Sequence, residues 1–235
     1  MNKSCLPALL VLLAAVAHSQ AAAPSPYQTG APSQDGIGKT YHHREIAQVM
    51  GFAGAGWLER PERQAEERPD LLLAALSLSK GMNIADIGAG SGYLSRRMAP
   101  LIAPGRLYAV DVQPEMIQML EKLSAKPETV NVVPVLGSVD NVNLRSDSID
   151  LAVMVDTYHE LSQPHEIVQS LIAALKRGGR LVLVEYRGED PQVPIKPLHK
   201  MTLAQIRLEM RQFPLTFALA DERLPLQHIA VFIKN

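Results

Sequence analysis

The 235-residue chain is 47% hydrophobic and 20% charged, a mixture that suits one globular domain with an N-terminal extension. A formal net charge of -1 leaves no positive field to hold a polyanion, so nucleic acid is not expected as a partner. Cys5 is the only cysteine, which excludes a disulfide framework within the chain.

Lys3 precedes an apolar run over residues 6–16, and Ala21, Ala22 and Ala23 follow it. That is the layout of a secretory signal peptide over residues 1–23, and the run is shorter than the ~20 residues of a permanent span. The expectation is an exported, periplasmic or envelope-associated protein. Retention of the segment as a membrane tether on the cytoplasmic face is the alternative. Residues 24–40, rich in Pro, Ser, Gly and Gln, read as a flexible linker, and residues 41–235 as one domain.

From Tyr41 onward, apolar runs of strand length alternate with segments of helical period, which predicts an α/β fold built on a parallel sheet. Residues 45–50 and 60–78 read as helical, with Pro69 in a first-turn position. A first strand over residues 83–87 runs straight into Gly88-Ala89-Gly90-Ser91-Gly92 and then a helix over 93–98. The second strand, 106–110, ends at Asp111, a helix follows over 114–123, and the third strand covers 130–136. Ile149–Val155 is apolar almost throughout, as a central strand buried on both faces is, and Asp156 closes it. A helix over 164–177, stopped by Gly178-Gly179, leads to a fifth strand at 180–184. After a proline-punctuated loop comes a helix over 202–211. Two close strands, 215–219 and 228–233, are expected to pair antiparallel.

The strongest chemical signal is Asp86-Ile87-Gly88-Ala89-Gly90-Ser91-Gly92 at a strand-to-helix junction, where glycines permit a tight turn and close approach of a ligand to backbone. Asp111, at the end of the next strand, is placed to accept the hydroxyls of a ribose. Dinucleotide sites show G-x-G-x-x-G/A, but here the triplet is G-x-G-x-G and Tyr93 stands where the third small residue belongs. Asp86 would also sit badly beside a pyrophosphate and well beside an ammonium. A nicotinamide-dependent oxidoreductase is therefore disfavoured.

Asp86 to Gly92, Tyr108-Ala109-Val110-Asp111, Gly137-Ser138-Val139-Asp140 and Leu175-Lys176-Arg177-Gly178-Gly179 together resemble the ordered motifs of class I S-adenosylmethionine-dependent methyltransferases. The similarity is to the small-molecule branch that includes the ubiquinone and menaquinone C-methyltransferases. It implies a Rossmann-like, doubly wound seven-stranded sheet of order 3-2-1-4-5-7-6, with strand 7 antiparallel and helices on both faces. It also implies that Gly88, Ala89, Gly90 and Gly92 wrap the cofactor, that Asp86 helps hold its amino group, and that Asp111 takes the ribose. Val112, Ser138, Val139 and Asp156 complete the expected S-adenosylmethionine contacts, although the family often has aspartate where this chain has Ser138.

The methyl acceptor, expected to be a small molecule, should lie beyond the carboxyl ends of the fourth and fifth strands. Those ends carry Asp156-Thr157-Tyr158-His159-Glu160 and Glu185-Tyr186-Arg187. His159 is the base candidate because its ordinary pKa lies near neutrality, with Tyr158 and Glu185 as further catalytic or positioning candidates. A loop over residues 194–201 carries Lys196, His199 and Lys200, which either cover the pocket and attract an anionic acceptor or, the favoured reading, form a solvated basic loop. His42, His43, Glu45, His159, Glu160, His165 and Glu166 form no tight ligand pattern such as H-E-x-x-H, so no metal is expected and surface histidines account for them. A non-catalytic nucleoside-binding module is the alternative function.

Overall fold

The computed structural model describes residues 25–235, so the expected signal segment, residues 1–23, lies outside the described residues. Where composition suggests a flexible linker over residues 24–40, the chain forms β1 (Tyr27–Thr29) and β2 (Gly36–Tyr41). Where a short helix is expected at 45–50 it forms β3 (Arg44–Ala47). The three strands make an antiparallel sheet of order β1-β2-β3. Burial drives this outcome, because Tyr41, Ile46 and Ala47 are all 0% exposed. His42 and His43 form the two-residue turn between β2 and β3, with φ of 46° and 68°. Turns of that hand match strand twist but usually carry Asn or Gly, so two histidines conceal the hairpin in the sequence.

Residues 60–78 are helical in pieces. α1 (Ala55–Leu58) precedes α2 (Arg63–Glu66), and α3 (Pro69–Leu76) starts afresh at the proline. Arg68 between them sits at φ 51°, outside the right-handed helical region, as a residue before proline tends to.

The main sheet consists of β4 (Ile84–Ile87), β5 (Leu107–Asp111), β6 (Val132–Leu136), β7 (Ile149–Val155), β8 (Leu175–Tyr186), β9 (Leu215–Asp221) and β10 (Gln227–Lys234). Its order is β6-β5-β4-β7-β8-β10-β9, which is 3-2-1-4-5-7-6 when these seven strands are counted alone. β10 runs antiparallel to both neighbours and the β6 to β8 pairings are parallel, as expected. The helices α4 (Ser95–Ile102), α5 (Pro114–Ser124), α6 (Pro164–Ala174) and α7 (Leu203–Met210) cover it.

Alternation along the central strands feeds two cores. Ile149, Ala152 and Met154 pack with Val168 and Leu171 of α6 and Ile206 of α7 on one face. Leu151 and Val153 pack with Leu76 of α3, Met98 of α4 and Leu120 of α5 on the other. Each such aliphatic side chain contributes about 1.5–3 kcal/mol by leaving water. α6 ends at Ala174, earlier than the glycine pair predicts, and Gly178-Gly179 falls in an irregular stretch of β8 where its pairing with β7 shifts register. Among the described residues no helix is long and apolar enough to cross a membrane.

The small antiparallel sheet is pinned over the carboxyl ends of β7 and β8. Lys39 Nζ donates to the Ser162 carbonyl at 2.6 Å, Arg44 Nη1 donates to the His159 carbonyl at 3.1 Å, and the Tyr27 hydroxyl bonds Glu166.

Candidate functional site

Strand order reverses between β4 and β7, and open α/β sheets bind ligands outside the carboxyl ends at such a reversal. A cavity of about 530 Å³ opens there, lined by Asp86, Gly88, Ala89, Gly90, Asp111, Val112, Ser138, Val139, Asp156 and His159. Thirteen candidate residues were expected to meet a ligand, and three of them do not line this cavity: Gly92, Tyr158 and Glu185.

Gly88 sits at φ 70°, a left-handed conformation that turns the chain sharply out of β4. Gly92 serves packing instead of ligand contact, since a Cβ there would lie 2.6 Å from Leu123 Cδ2 of α5. It takes the helix-packing role that Tyr93 cannot. The turn is held from outside by Glu59, which accepts from Ser91 Oγ at 2.5 Å and pairs with Arg96 at 2.6 Å.

Three carboxyl groups surround the loop. Asp111 Oδ2 accepts the Gly90 N–H at 2.9 Å and its Oδ1 accepts the Gln113 N–H at 3.0 Å, so backbone fixes the group at the cavity wall. Its pKa is raised by burial, against these backbone hydrogen bonds. Asp156 follows β7 directly, at φ 50°, a strained position for a residue with a side chain. Its Oδ2 accepts from Gln227 at 2.7 Å, while its buried Oδ1 has no partner. Burial, then the charges of Glu67 and Glu185, push its pKa well up.

Asp86 accepts the Ser95 hydroxyl at 2.6 Å and is pushed by burial from 3.8 up to about 6, although Ser95 and Arg63 favour its charged form. The folded chain thus keeps this proton to higher pH than the unfolded chain does. The resulting stability is complete below pH 3.8 and is lost as pH rises through about 6. Asp86→Asn is therefore expected to melt several degrees above the parent at neutral pH, with the difference shrinking towards about pH 4. Thermal unfolding followed across that range checks it, and a pH-independent difference would refute the assignment.

Apolar groups line the rest. Val112 and Val139 are 43% and 51% exposed yet face this cavity, as two walls for a flat base would. Ser138 lies beside them, but its hydroxyl is committed to Asp140 at 2.6 Å. Ile37, Val49, Met50, Trp57 and Leu58 also line the cavity, Leu58 directly against the glycine turn at Gly90. All five precede residue 60; Ile37 falls in the stretch that reads as linker, Val49 and Met50 in the one that reads as helix, and no motif marks any of the five.

The acceptor-side candidates separate by role. Tyr158 is 0% exposed and belongs to the core beside α6, because the single turn of helix at Tyr158–Glu160 points its ring inward. Glu185 is also 0% exposed, and its carboxylate accepts the Tyr158 N–H at 2.9 Å and holds His159 Nδ1 at 2.6 Å. It positions His159 and does not face the cavity. His159 lines the cavity but is no surface histidine, being 2% exposed. Burial alone would lower its pKa, but Glu185 and Glu160 outweigh burial and lift it to about 10. The ring is thus protonated at neutral pH and does not match the free base expected from its ordinary value. Glu160 is correspondingly lowered to about 2, its burial outweighed by His159 and His199.

His199 follows the less favoured reading of its loop, as a residue that covers the pocket. The turn Pro197–His199 swings it from the loop read as solvated to within 3.2 Å of His159 Nε2, at the cavity wall. His159, Glu160 and His199 thereby gather three possible ligand atoms at one place. Lys196 also lines the cavity and pairs with Asp35 at 2.6 Å, whereas Lys200 donates to the Asp190 carbonyl at 3.1 Å.

Residues 85–183 match the family model described as a methyltransferase domain. An uncharacterised methyltransferase of Bacillus subtilis, YcgJ, is 28% identical over 143 residues, covering 60% of this chain and 56% of that protein. A ubiquinone biosynthesis O-methyltransferase of Xanthomonas oryzae pv. oryzae is 27% identical over 149 residues, covering 61% of each. The chain thus spans less than two thirds of the length of these curated relatives. A solved structure of a SAM-dependent methyltransferase from Aquifex aeolicus shares the fold with a TM-score of 0.74 at 21% identity, covering 80% of this chain and all of that one.

Proposed function

We propose, from the premise that the chain carries a class I S-adenosylmethionine-dependent methyltransferase domain, that the protein methylates a small, largely apolar molecule bound against the apolar wall of the cavity. The observation that carries this reading is one continuous cavity lined both by the carboxyl groups of Asp86, Asp111 and Asp156 and by the apolar side chains of Ile37, Val49, Met50, Trp57 and Leu161. The residues fit the cofactor. Asp86, Asp111 and Asp156 would repel a pyrophosphate but suit a cationic nucleoside, and the unpartnered Asp156 Oδ1 is an acceptor awaiting a donor.

Asp111 would hold ribose hydroxyls, Asp156 and Asp86 the amino group, and Val112 and Val139 the two faces of the base. When bound, S-adenosylmethionine supplies an electrophilic methyl group on a positively charged sulfur. The chain's own contribution is then alignment and exclusion of water, which can supply much of the barrier reduction without a dedicated base. The apolar wall contributed by β2 and by residues 49–58 keeps the acceptor end dry. Similarity to a ubiquinone biosynthesis O-methyltransferase supports a small organic acceptor. We place the protein in the cell envelope on the pattern of residues 3–23.

The experiment is incubation of the purified full chain with methyl-labelled cofactor and native extract separated into small-molecule and macromolecular fractions. Label is expected in a product of low mass, and its appearance only in protein or nucleic acid would overturn the reading.

A further inference from the structure

The imidazole and carboxylate cluster at the acceptor end has a geometry of its own. His159 Nε2 lies 3.2 Å from His199 Nδ1 and 3.6 Å from Glu160 Oε1, and His199 Nδ1 lies 3.4 Å from that same oxygen. Three donor atoms from three side chains therefore form a nearly equilateral triangle. Ligand atoms held about 2.0–2.1 Å from a zinc ion at tetrahedral angles stand about 3.4 Å apart, which is the size of this triangle. A hydrogen-bonded triad explains it less well. One proton can join the two rings, but separations of 3.4 and 3.6 Å to the carboxylate are too long for good hydrogen bonds.

We propose that His159 Nε2, His199 Nδ1 and Glu160 Oε1 bind a divalent transition-metal ion of the zinc type, with an open coordination position facing the cavity that takes an oxygen of the acceptor. The surroundings are those of a built site. Glu185 Oε2 holds His159 Nδ1 at 2.6 Å, which fixes the ring so that Nε2 faces the metal and ligates it once the incoming ion displaces the Nε2 proton of the metal-free protein. Glu185 is in turn held by the Tyr158 N–H. The second oxygen of Glu160 accepts the Met50 N–H at 3.1 Å, leaving Oε1 to ligate. All three ligand residues line the cavity, so three protein ligands and one open position match the composition of catalytic zinc sites. An acceptor oxygen on the metal would be polarised and fixed, the positioning that no base supplies here. This last step rests on the methyltransferase reading, whereas metal binding does not.

The test uses the full chain stripped with a chelator and titrated with zinc, and with cobalt as a spectroscopic probe. One equivalent is expected to bind, cobalt giving the intense visible absorption of a four-coordinate ion that shifts when catechol is added. His199→Ala and Glu160→Gln are each expected to weaken zinc binding at least about 100-fold, and Glu185→Gln about 10–100-fold. Circular dichroism on each variant establishes that it is folded. Absence of zinc binding by the parent, or binding that survives both His199→Ala and Glu160→Gln, would overturn the site. A cobalt spectrum indifferent to catechol would overturn the open position. Calorimetry with S-adenosylhomocysteine on the same samples keeps the two readings apart: cofactor binding without zinc binding sinks only the metal site, and zinc binding without cofactor binding sinks only the methyltransferase reading.

Discussion

Arg44→Ala is expected to remove about 3–5 kcal/mol of folding stability, the cost of breaking a buried ion pair from one side. Arg44 and Glu209 meet through two bonds, Nε to Oε1 at 2.8 Å and Nη2 to Oε2 at 3.0 Å, with side chains 9% and 0% exposed. Without the guanidinium, Glu209 would keep the amide of Gln205 at 2.8 Å but no counter-charge, in a place water cannot reach. For a domain of this size the loss corresponds to a fall of about 10 °C in melting temperature. The pair is also a structural rivet, because Arg44 belongs to β3 and Glu209 to α7, and Arg44 Nη1 holds the His159 carbonyl. The double variant Arg44→Met, Glu209→Leu replaces the pair by apolar groups and is expected to recover most of the loss. Denaturant and thermal unfolding of the single and double variants decide the matter; a single variant costing less than about 1 kcal/mol would mean that the pair is not buried as described.

The same pair marks the limit of what the sequence discloses. Strands β4, β5 and β7 announce themselves through apolar runs that end in Asp or the glycine loop, and the sheet needs them buried on both faces, so composition and position agree. Arg44 and Glu209 are 165 residues apart, and nothing local in either segment speaks of the other. The β2–β3 hairpin is hidden for a related reason. Gly36 and Gly38 lower strand propensity, and the turn carries His42-His43, so only contact with the main domain reveals why those residues are extended.

The candidate site divides in the same way. Asp86, Gly88, Gly90 and Asp111 are legible because strand-end carboxylates and a glycine turn have few other uses at that spacing. His159 is legible as a position but not as a chemical state, since its protonation depends on Glu185, which lies 26 residues away on a neighbouring strand, and on Glu160. His199 could not be told from a solvated loop residue, because its partner lies 40 residues away and no spacing rule joins them.

Asp111→Ala is expected to reduce affinity for S-adenosylhomocysteine about 100-fold or more, the largest single effect on the cofactor end of the cavity. The carboxylate has two tasks there. It accepts the N–H groups of Gly90 and Gln113, which shapes the glycine loop, and it presents its remaining lone pairs to the cavity, where two ribose hydroxyls would donate. A hydrogen bond to a charged acceptor contributes about 1.5–3 kcal/mol, so the loss of two corresponds to about 100-fold at the lower bound. Asp111→Asn separates the tasks, because the amide keeps the volume and one acceptor oxygen but lacks the charge and places a donor towards the loop or the ligand. A smaller loss, of about 10-fold, is expected for it. Calorimetric titration of both variants, with their melting temperatures measured alongside, distinguishes lost ligand contacts from a collapsed loop. If Asp111→Ala melts like the parent and still binds the nucleoside with parental affinity, the ribose is held elsewhere and the assignment of this part of the cavity to the cofactor fails.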